Sequence, residues 1–317
     1  MIRSKVLRAD ALLLLLAMLW GSGFIAQKWG LEHVSPMTFV MVRLVLATAF
    51  LAPLLLIRRS VPAQIPTPLR KLAPMLIGVA VMVFLGSWLQ QSGLQTTEAG
   101  TAGFITGLYV VFTPLLGLLI GYRVRAMTWL ATLIAVAGLF LLTVAGRPVL
   151  NIGDLLILIC AVAWGAQLLF VGWLAPRMDV ILLTVIQLGG AACISVVATL
   201  IFEPIDFEAI LAARWPILYT ALVTTGLAFL IQVWAQQHAP PAHAAILISL
   251  ESVFSVLFGW WMLSERLSDI QIIGCVVMFI AIIVAELKPP RQEFFTGQPD
   301  EVSPPPPEAD PRSRGPA

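Results

Sequence analysis

The chain has 317 residues, of which 59% are hydrophobic and only 11% charged. Soluble domains run at about 45–50% apolar and about 25% charged, so this chain has too little polar surface to cover a globule in water. A formal net charge of +2 supplies no basic field for nucleic acid, and the apolar bulk excludes a disordered chain.

In hydrocarbon, backbone groups must bond within their own segment, so runs of about 20 apolar residues become membrane-crossing helices. Ten runs qualify: 11–28, 37–57, 73–92, 99–121, 127–145, 153–174, 181–202, 215–236, 242–263 and 269–287. The breaks carry charge or proline, as from Lys28 to Pro36, Arg58 to Lys71, Arg123 to Arg125, Arg147 to Asp154, Arg177 to Asp179 and Glu203 to Arg214. The first run has the outline of a signal peptide, with basic residues before Leu12 to Leu16 and small residues after Trp20. Asp10 and Asp154 stand where the first and sixth helices are expected to begin and read as N-caps. Pro36, Pro74 and Pro216 lie near helix starts, where a missing N–H costs little. Pro114 falls inside the fourth run and predicts a kink or local unwinding there. Gly103 and Gly107 in the same run form a small surface suited to close helix packing. Cys160, Cys193 and Cys275 lie in apolar runs with no metal spacing and read as buried thiols; His33, His238 and His243 likewise make no metal pattern. Residues 288–317, with Pro304 to Pro307 followed by Glu308 and Asp310, read as a disordered proline-rich tail.

Orientation follows from the distribution of basic residues. With the N-terminus in the cytoplasm, Arg3, Lys5, Arg8, Arg58, Arg59, Arg70, Lys71, Arg123, Arg125 and Arg177 fall inside, against Lys28, Arg147, Arg214 and Arg266 outside. Both termini are therefore expected to be cytoplasmic.

The chain also resembles itself. At a shift of 144, Asp10 meets Asp154, Trp20-Gly21 meets Trp164-Gly165, and Arg43 meets Gln187. Slightly different shifts align Trp88-Leu89-Gln90-Gln91 with Trp234-Ala235-Gln236-Gln237, and Leu108 to Thr113 with Leu250 to Ser255. Two units of five spans result, 10–145 and 154–287. Five is odd, so the second unit must enter the membrane from the opposite side. The expected fold is an all-α integral membrane protein of ten transmembrane helices in two inverted five-helix repeats. The first run has an internal copy and therefore reads as a retained helix.

Polar groups inside the spans are the candidate site. Charge in the bilayer is costly, so Arg43 and Glu251 are expected to face the bundle or a watery cavity. Glu251 reads either as an amine or proton site or as a structural group. Arg43 reads either as a ligand for substrate or as a long side chain snorkelling to the headgroups. Opposite charge alone would allow a direct Arg43–Glu251 pair. Trp88 with Gln91, and Trp234 with Gln237, share helix faces and read as a cavity wall or as an interfacial aromatic belt. Trp20 and Trp164 lie nearer mid-span. Gln167, Gln187 and Tyr109 could add hydrogen bonds to a cavity or join helices.

Leu19-Trp20-Gly21-Ser22-Gly23-Phe24, Pro36 followed by Arg43, Trp164-Gly165, Leu250 to Gly259, and Ser264-Glu265-Arg266-Leu267 carry a resemblance. The chain resembles the drug/metabolite transporter superfamily, in particular the EamA-type ten-span transporters, over about 10–287. The resemblance implies export or exchange of amino acids, metabolites or drugs across the bacterial cytoplasmic membrane. Three positions depart from the pattern. Ser252 stands where a proline often follows the span-nine carboxylate, so that backbone break is not signalled. Arg123 replaces the loop glutamate in the first unit, and Tyr109 occupies the place matched by Glu251.

The expected function is a secondary transporter, an exporter of small solutes by alternating access, driven either by the proton gradient through Glu251 or by the solute's own gradient. Its partners are a small-molecule substrate and the lipid bilayer, with no nucleic acid and a homodimer left open. No ATP-binding loop or catalytic motif occurs, and neither cofactor nor metal is expected. A non-transporting scaffold or sensor, or a lipid-modifying enzyme, are the alternatives; the enzyme would need clustered His, Asp or Lys near one interface.

Overall fold

A computed structural model describes residues 2–57, 69–121, 124, 126–143, 151–263 and 268–286. The tail 288–317, Arg58, Arg59, Arg123, Arg125, Arg147, the 264–267 motif and the side chain of Cys275 lie outside what is described. Every regular element among the described residues is helical. The first half comprises α1 (Ile2–Leu31), α2 (Pro36–Ile57), α3 (Leu69–Gly93), α4 (Ala99–Gly107), α5 (Tyr109–Leu119) and α6 (Ala126–Thr143). The second comprises α7 (Ile152–Leu174), α8 (Val180–Phe202), α9 (Phe207–Ala212), α10 (Arg214–Tyr219), a π-helical stretch (Thr220–Leu227), α11 (Ala228–Gln236), α12 (Pro241–Ile248), α13 (Glu251–Leu263) and α14 (Asp269–Glu286).

Eight stretches are long and apolar enough to cross a bilayer: Val6–Leu31, Pro36–Leu56, Arg70–Gly93, Ala99–Leu119, Ile152–Arg177, Val180–Phe202, Arg214–Gln236 and Pro241–Met262. Ala126–Gly138 and Ile272–Ala281 are shorter apolar helices. The chain is thus a multi-pass membrane protein. Its outward faces carry exposed large apolar side chains, among them Leu133, Phe140, Val197, Leu200 and Ile283, as a lipid-facing surface requires.

Several local expectations are corrected. Helix α1 begins at Ile2, so Asp10 lies inside it and cannot be its N-cap; the basic first residues extend the helix. Asn151 caps α7, with Asp154 completing a capping box from the third helical position. The interruption of the fourth span falls at Leu108, six residues before Pro114, which itself lies inside α5. The stretch Pro241–Met262 is interrupted at Ser249–Leu250, with no proline at the break. There the Ser249 hydroxyl bonds Ile246 O at 2.7 Å, and Leu250 and Ser252 make i→i−3 backbone bonds, tightening the turn. Cys193 is exposed, not buried, on the lipid-facing side of α8, whereas Cys160 is buried. The loop from Glu203 to Arg214 contains the short helix α9.

Glycine contacts fix the helix directions. A side chain at Gly78 would meet Phe170, at Gly86 Trp164 and at Gly93 Ile157, so α3 and α7 run antiparallel. Lys28, in the last turn of α1, donates to Leu94 O at 2.9 Å, placing the ends of α1 and α3 together. The main packing pairs are α3 on α7, α2 on α8, α1 on α13, α1 on the π stretch and α11, α4 and α5 on α7, and α6 on α14. These pairs interchange or map onto themselves when each helix is exchanged for the one at the matching place in the other half of the chain.

Glu203, just past α8, clamps the start of α2. Its Oε2 accepts from Ser35 Oγ (2.5 Å), Thr38 N (2.9 Å) and Thr38 Oγ1 (2.9 Å), and Oε1 accepts from Met37 N (3.3 Å). A carboxylate here satisfies the orphan N–H groups of the helix and opposes its positive end. Glu203→Ala is expected to destabilise the protein by about 1–3 kcal/mol, while Glu208→Ala, at an exposed carboxylate, changes little. Thermal unfolding of both variants in detergent checks this.

Candidate functional site

Two glycines bring straight helices against the interrupted ones. A Cβ on Gly21 of α1 would lie 2.5 Å from Phe254 Cβ and 2.7 Å from Glu251 O. A Cβ on Gly165 of α7 would lie 3.1 Å from Phe112 Cβ and 3.1 Å from Thr113 N. Only glycine fits at position 21, a Cβ at position 165 would be tightly crowded, and each approach places the tryptophan before it at the centre of the bundle. The Trp20 and Trp164 rings are 6.4 Å apart, and Phe229 of α11 lies 5.6 Å and 5.9 Å from them. These three rings wall one side of an internal cavity.

Phe24 and Leu168 extend the apolar wall, and the remaining lining residues are polar. Gln27, Arg43, Gln90, Gln167, Tyr109 and Glu251 contribute from six different helices, with Ser87, Thr106, Thr224 and Thr225 between them. The π stretch supplies the two threonines. A π turn leaves helix carbonyls poorly matched, and the Trp20 indole N–H donates to Thr224 O at 2.9 Å. Gln90 Nε2 donates to Thr106 Oγ1 at 3.2 Å, tying α3 to α4.

Arg43 turns inward and is buried, so it does not snorkel to the headgroups. Its Nη1 donates to Gln27 Oε1 at 3.1 Å and its guanidinium lies 5.8 Å from the Phe39 ring centre. Its Nε, although buried, has no hydrogen-bond partner. The direct Arg43–Glu251 pair that opposite charge would allow does not form: the described ion pairs do not include it, and Glu251 Oε1 is itself unpartnered. Glu251 is the first residue of α13 and Tyr109 the first of α5. The Tyr109 hydroxyl, which lines the same cavity as Glu251, likewise has no hydrogen-bond partner. The cavity therefore holds a buried cation and a buried carboxylate, each with bonding capacity left open.

Of the residues singled out by sequence, Trp20, Arg43, Tyr109, Trp164, Gln167 and Glu251 meet at this cavity. Gln187 stands just behind it, accepting from Gln167 Nε2 at 3.1 Å. Gln91 donates to Gln27 O at 3.2 Å, bracing the residue that holds Arg43. Trp88 stacks on Phe84, Trp234 packs on His238, and Gln237 donates to Ala175 O at 2.9 Å; these three lie away from the lining. Sequence reasoning missed Gln27, Ser87, Gln90, Phe229 and the threonines. A signal existed for some: Trp20, Phe24 and Gln27 share one helix face, as do Ser87 and Gln90.

The sequence pattern of the EamA-like transporter family matches residues 7–144 and again 151–286. The chain belongs to the EamA-like transporter family. It is 32% identical over 285 residues to an uncharacterized transporter of Archaeoglobus fulgidus, covering 90% of this chain and 87% of that one. It is 25% identical to the uncharacterized transporter YoaV of Bacillus subtilis, over 84% of this chain and 92% of the relative. It is 24% identical to the uncharacterized inner membrane transporter YedA of Escherichia coli K12, over 86% and 88%. One solved crystal structure shares the fold, with a TM-score of 0.71 at 19% identity, covering 88% of this chain and 97% of that one.

In this EamA-like chain the amide cluster behind the cavity gives a test of packing. Gln167 and Gln232 exchange two hydrogen bonds, 3.2 Å and 2.9 Å. Gln232→Leu alone strands a buried amide and is expected to cost about 1–3 kcal/mol; replacing Gln167 as well is expected to recover part of that loss. Unfolding midpoints of the two single variants and the double variant measure the coupling.

Proposed function

We propose that this protein is a secondary transporter that exports small solutes across the bacterial cytoplasmic membrane by alternating access. Its substrates are amphipathic molecules bearing an amine and an acid group, as amino acids and related metabolites do; drugs of that shape fit the same description. The supporting observation is the buried cavity in which Arg43 Nε and Glu251 Oε1 both lack partners beside an aromatic wall. An anionic group would complete Arg43, a cationic group would complete Glu251, and the rings would cover the apolar body.

Ten spans in two inverted units, about 10–145 and 154–287, suit this mechanism. The two family matches, the antiparallel course of α3 and α7, and the interchangeable packing pairs support that arrangement. Interruptions at Leu108 and at Ser249–Leu250 fall at matched places in the two units, next to the cavity. Discontinuous helices around a central site are what solute binding at mid-membrane calls for. The distribution of Lys and Arg supports both termini in the cytoplasm, and the inner-membrane relative supports the compartment. Glu251 serves as the proton-coupling group, taking up a proton when no solute amine faces it. The Tyr109 hydroxyl beside it offers the bond that the carboxylate then lacks.

Flux into proteoliposomes tests the reading. A panel of amino acids, metabolites and cationic drugs is expected to include counter-transported solutes, and Arg43→Ala is expected to lower their flux at least about tenfold. Glu251→Gln is expected to abolish the pH dependence of transport. A panel in which nothing moves would remove the transport reading, and an unchanged pH profile in Glu251→Gln would remove the coupling role.

A further inference from the structure

Two polar ties, one at each end of the bundle, fasten the half-helices that lead into the cavity. At one end His243 Nε2 and Asp10 Oδ1 are 3.0 Å apart, joining the first turn of α12 to α1. At the other, Thr97 Oγ1 donates to Asp154 Oδ1 at 2.8 Å and lies 3.4 Å from Asn151 Oδ1, joining the start of α4 to the start of α7. All four principal residues are buried: Asp10 is 8% exposed, His243 4%, Thr97 1% and Asp154 7%.

The ends are opposite. Asp10 lies near the start of α1, and Lys28 lies 18 positions on, about 27 Å at about 1.5 Å per residue. Lys28 reaches Leu94 O, and the neighbouring Gly93 packs on Gly153 and Ile157 at the start of α7. The Thr97–Asp154 tie therefore sits where α1 finishes, and the Asp10–His243 tie in the first third of α1, about two turns from its start. Asp10 and Asp154 are also the residues aligned by the internal repeat.

Each tie holds a half-helix of one unit to the first helix of the other. Helix α12 has eight residues and α4 has nine, and each runs from its tie to an interruption directly beside the cavity. The interruptions are tight turns with i→i−3 bonds, where a short helix can pivot with few bonds exchanged. Past them come Glu251 and Tyr109, the cavity's carboxylate and its hydroxyl. A half-helix released at its outer end opens that end alone and leaves the opposite tie intact.

We infer that Asp10–His243 and Thr97–Asp154 are the two alternately broken gate contacts of the cavity, with Leu108 and Ser249–Leu250 as their pivots. The inference rests on the alternating-access reading and assigns its gates to named positioning residues. With both termini cytoplasmic, Asp10–His243 closes the cytoplasmic end and Thr97–Asp154 the outer end. Neither pair touches the solute.

The test uses cavity accessibility, which needs no solute. In full-length protein with Cys160, Cys193 and Cys275 replaced by alanine, Ser87→Cys places a thiol on the cavity lining. A membrane-impermeant maleimide is applied to right-side-out and to inside-out vesicles. His243→Ala is expected to raise labelling from the side of the N-terminus by about tenfold, and Thr97→Val to raise it from the opposite side by a similar factor, since losing a hydrogen bond to a carboxylate shifts a two-state equilibrium by about that much. Asp10→Asn, which keeps the side-chain shape, serves if His243→Ala fails to fold, and is expected to act on the same side. His243→Gln, which retains a donor, is expected to restore most of the original pattern. Increased labelling from the same side in both variants, or no change in either, overturns the assignment. Opposite-sided labelling with no solute flux across the panel would preserve the gates while removing the proposed transport activity.

Discussion

The cavity depends on the approach of helix backbones at Gly21 and Gly165. Each lets a straight helix touch an interrupted one just past its break, with no side chain between them. That closeness brings Trp20 and Trp164 together and sets the first residues of α5 and α13, Tyr109 and Glu251, at the same level. A methyl group on Gly21 would meet a carbonyl oxygen and a backbone-attached carbon, neither of which can swing away. The Trp-Gly pair is therefore a spacing device first, and an aromatic wall only because the spacing holds.

The surrounding hydrocarbon imposes the second constraint. Polar atoms in the bundle must find partners within the protein, and most do. Glutamines answer one another at Gln167, Gln187 and Gln232; Gln91 and Gln236 bond backbone carbonyls; serines and threonines bond back onto their own helices. Among the described residues Gln91 Oε1, Gln187 Nε2, Gln236 Oε1 and Thr132 Oγ1 stay unpartnered, as do Arg43 Nε, Tyr109 Oη and Glu251 Oε1, and the last three belong to residues that line one cavity. An unmet group buried in low dielectric costs free energy, and it is retained where a ligand or proton meets it part of the time.

Much of the bundle was legible because membrane spans advertise themselves by length and because the chain repeats its own landmarks. Arg43 and Glu251 were legible as charges in apolar runs. Other features were hidden for definite reasons. On α3 the lining residues are Ser87 and Gln90, whereas Trp88 and Gln91 lie one position on, about 100° around the helix. A helix apolar nearly all round gives periodicity little to choose the inward face by. The π stretch at Thr220–Leu227 contains no breaker other than Gly226, and the interruption at Ser249 is made by a hydroxyl competing for a carbonyl rather than by a proline. Asp10 looked like a cap because it precedes the leucine run; its partner, His243, lies 233 positions away and belongs to no local pattern.

The Glu203 clamp carries a consequence for biogenesis. The start of α2 is held by a carboxylate that emerges from the ribosome more than a hundred residues later, after α8. Until then the N–H groups of that helix end have only Ser35 and water to answer them. The first half of the chain is thus made with an unfinished helix end, and the second half supplies the missing cap.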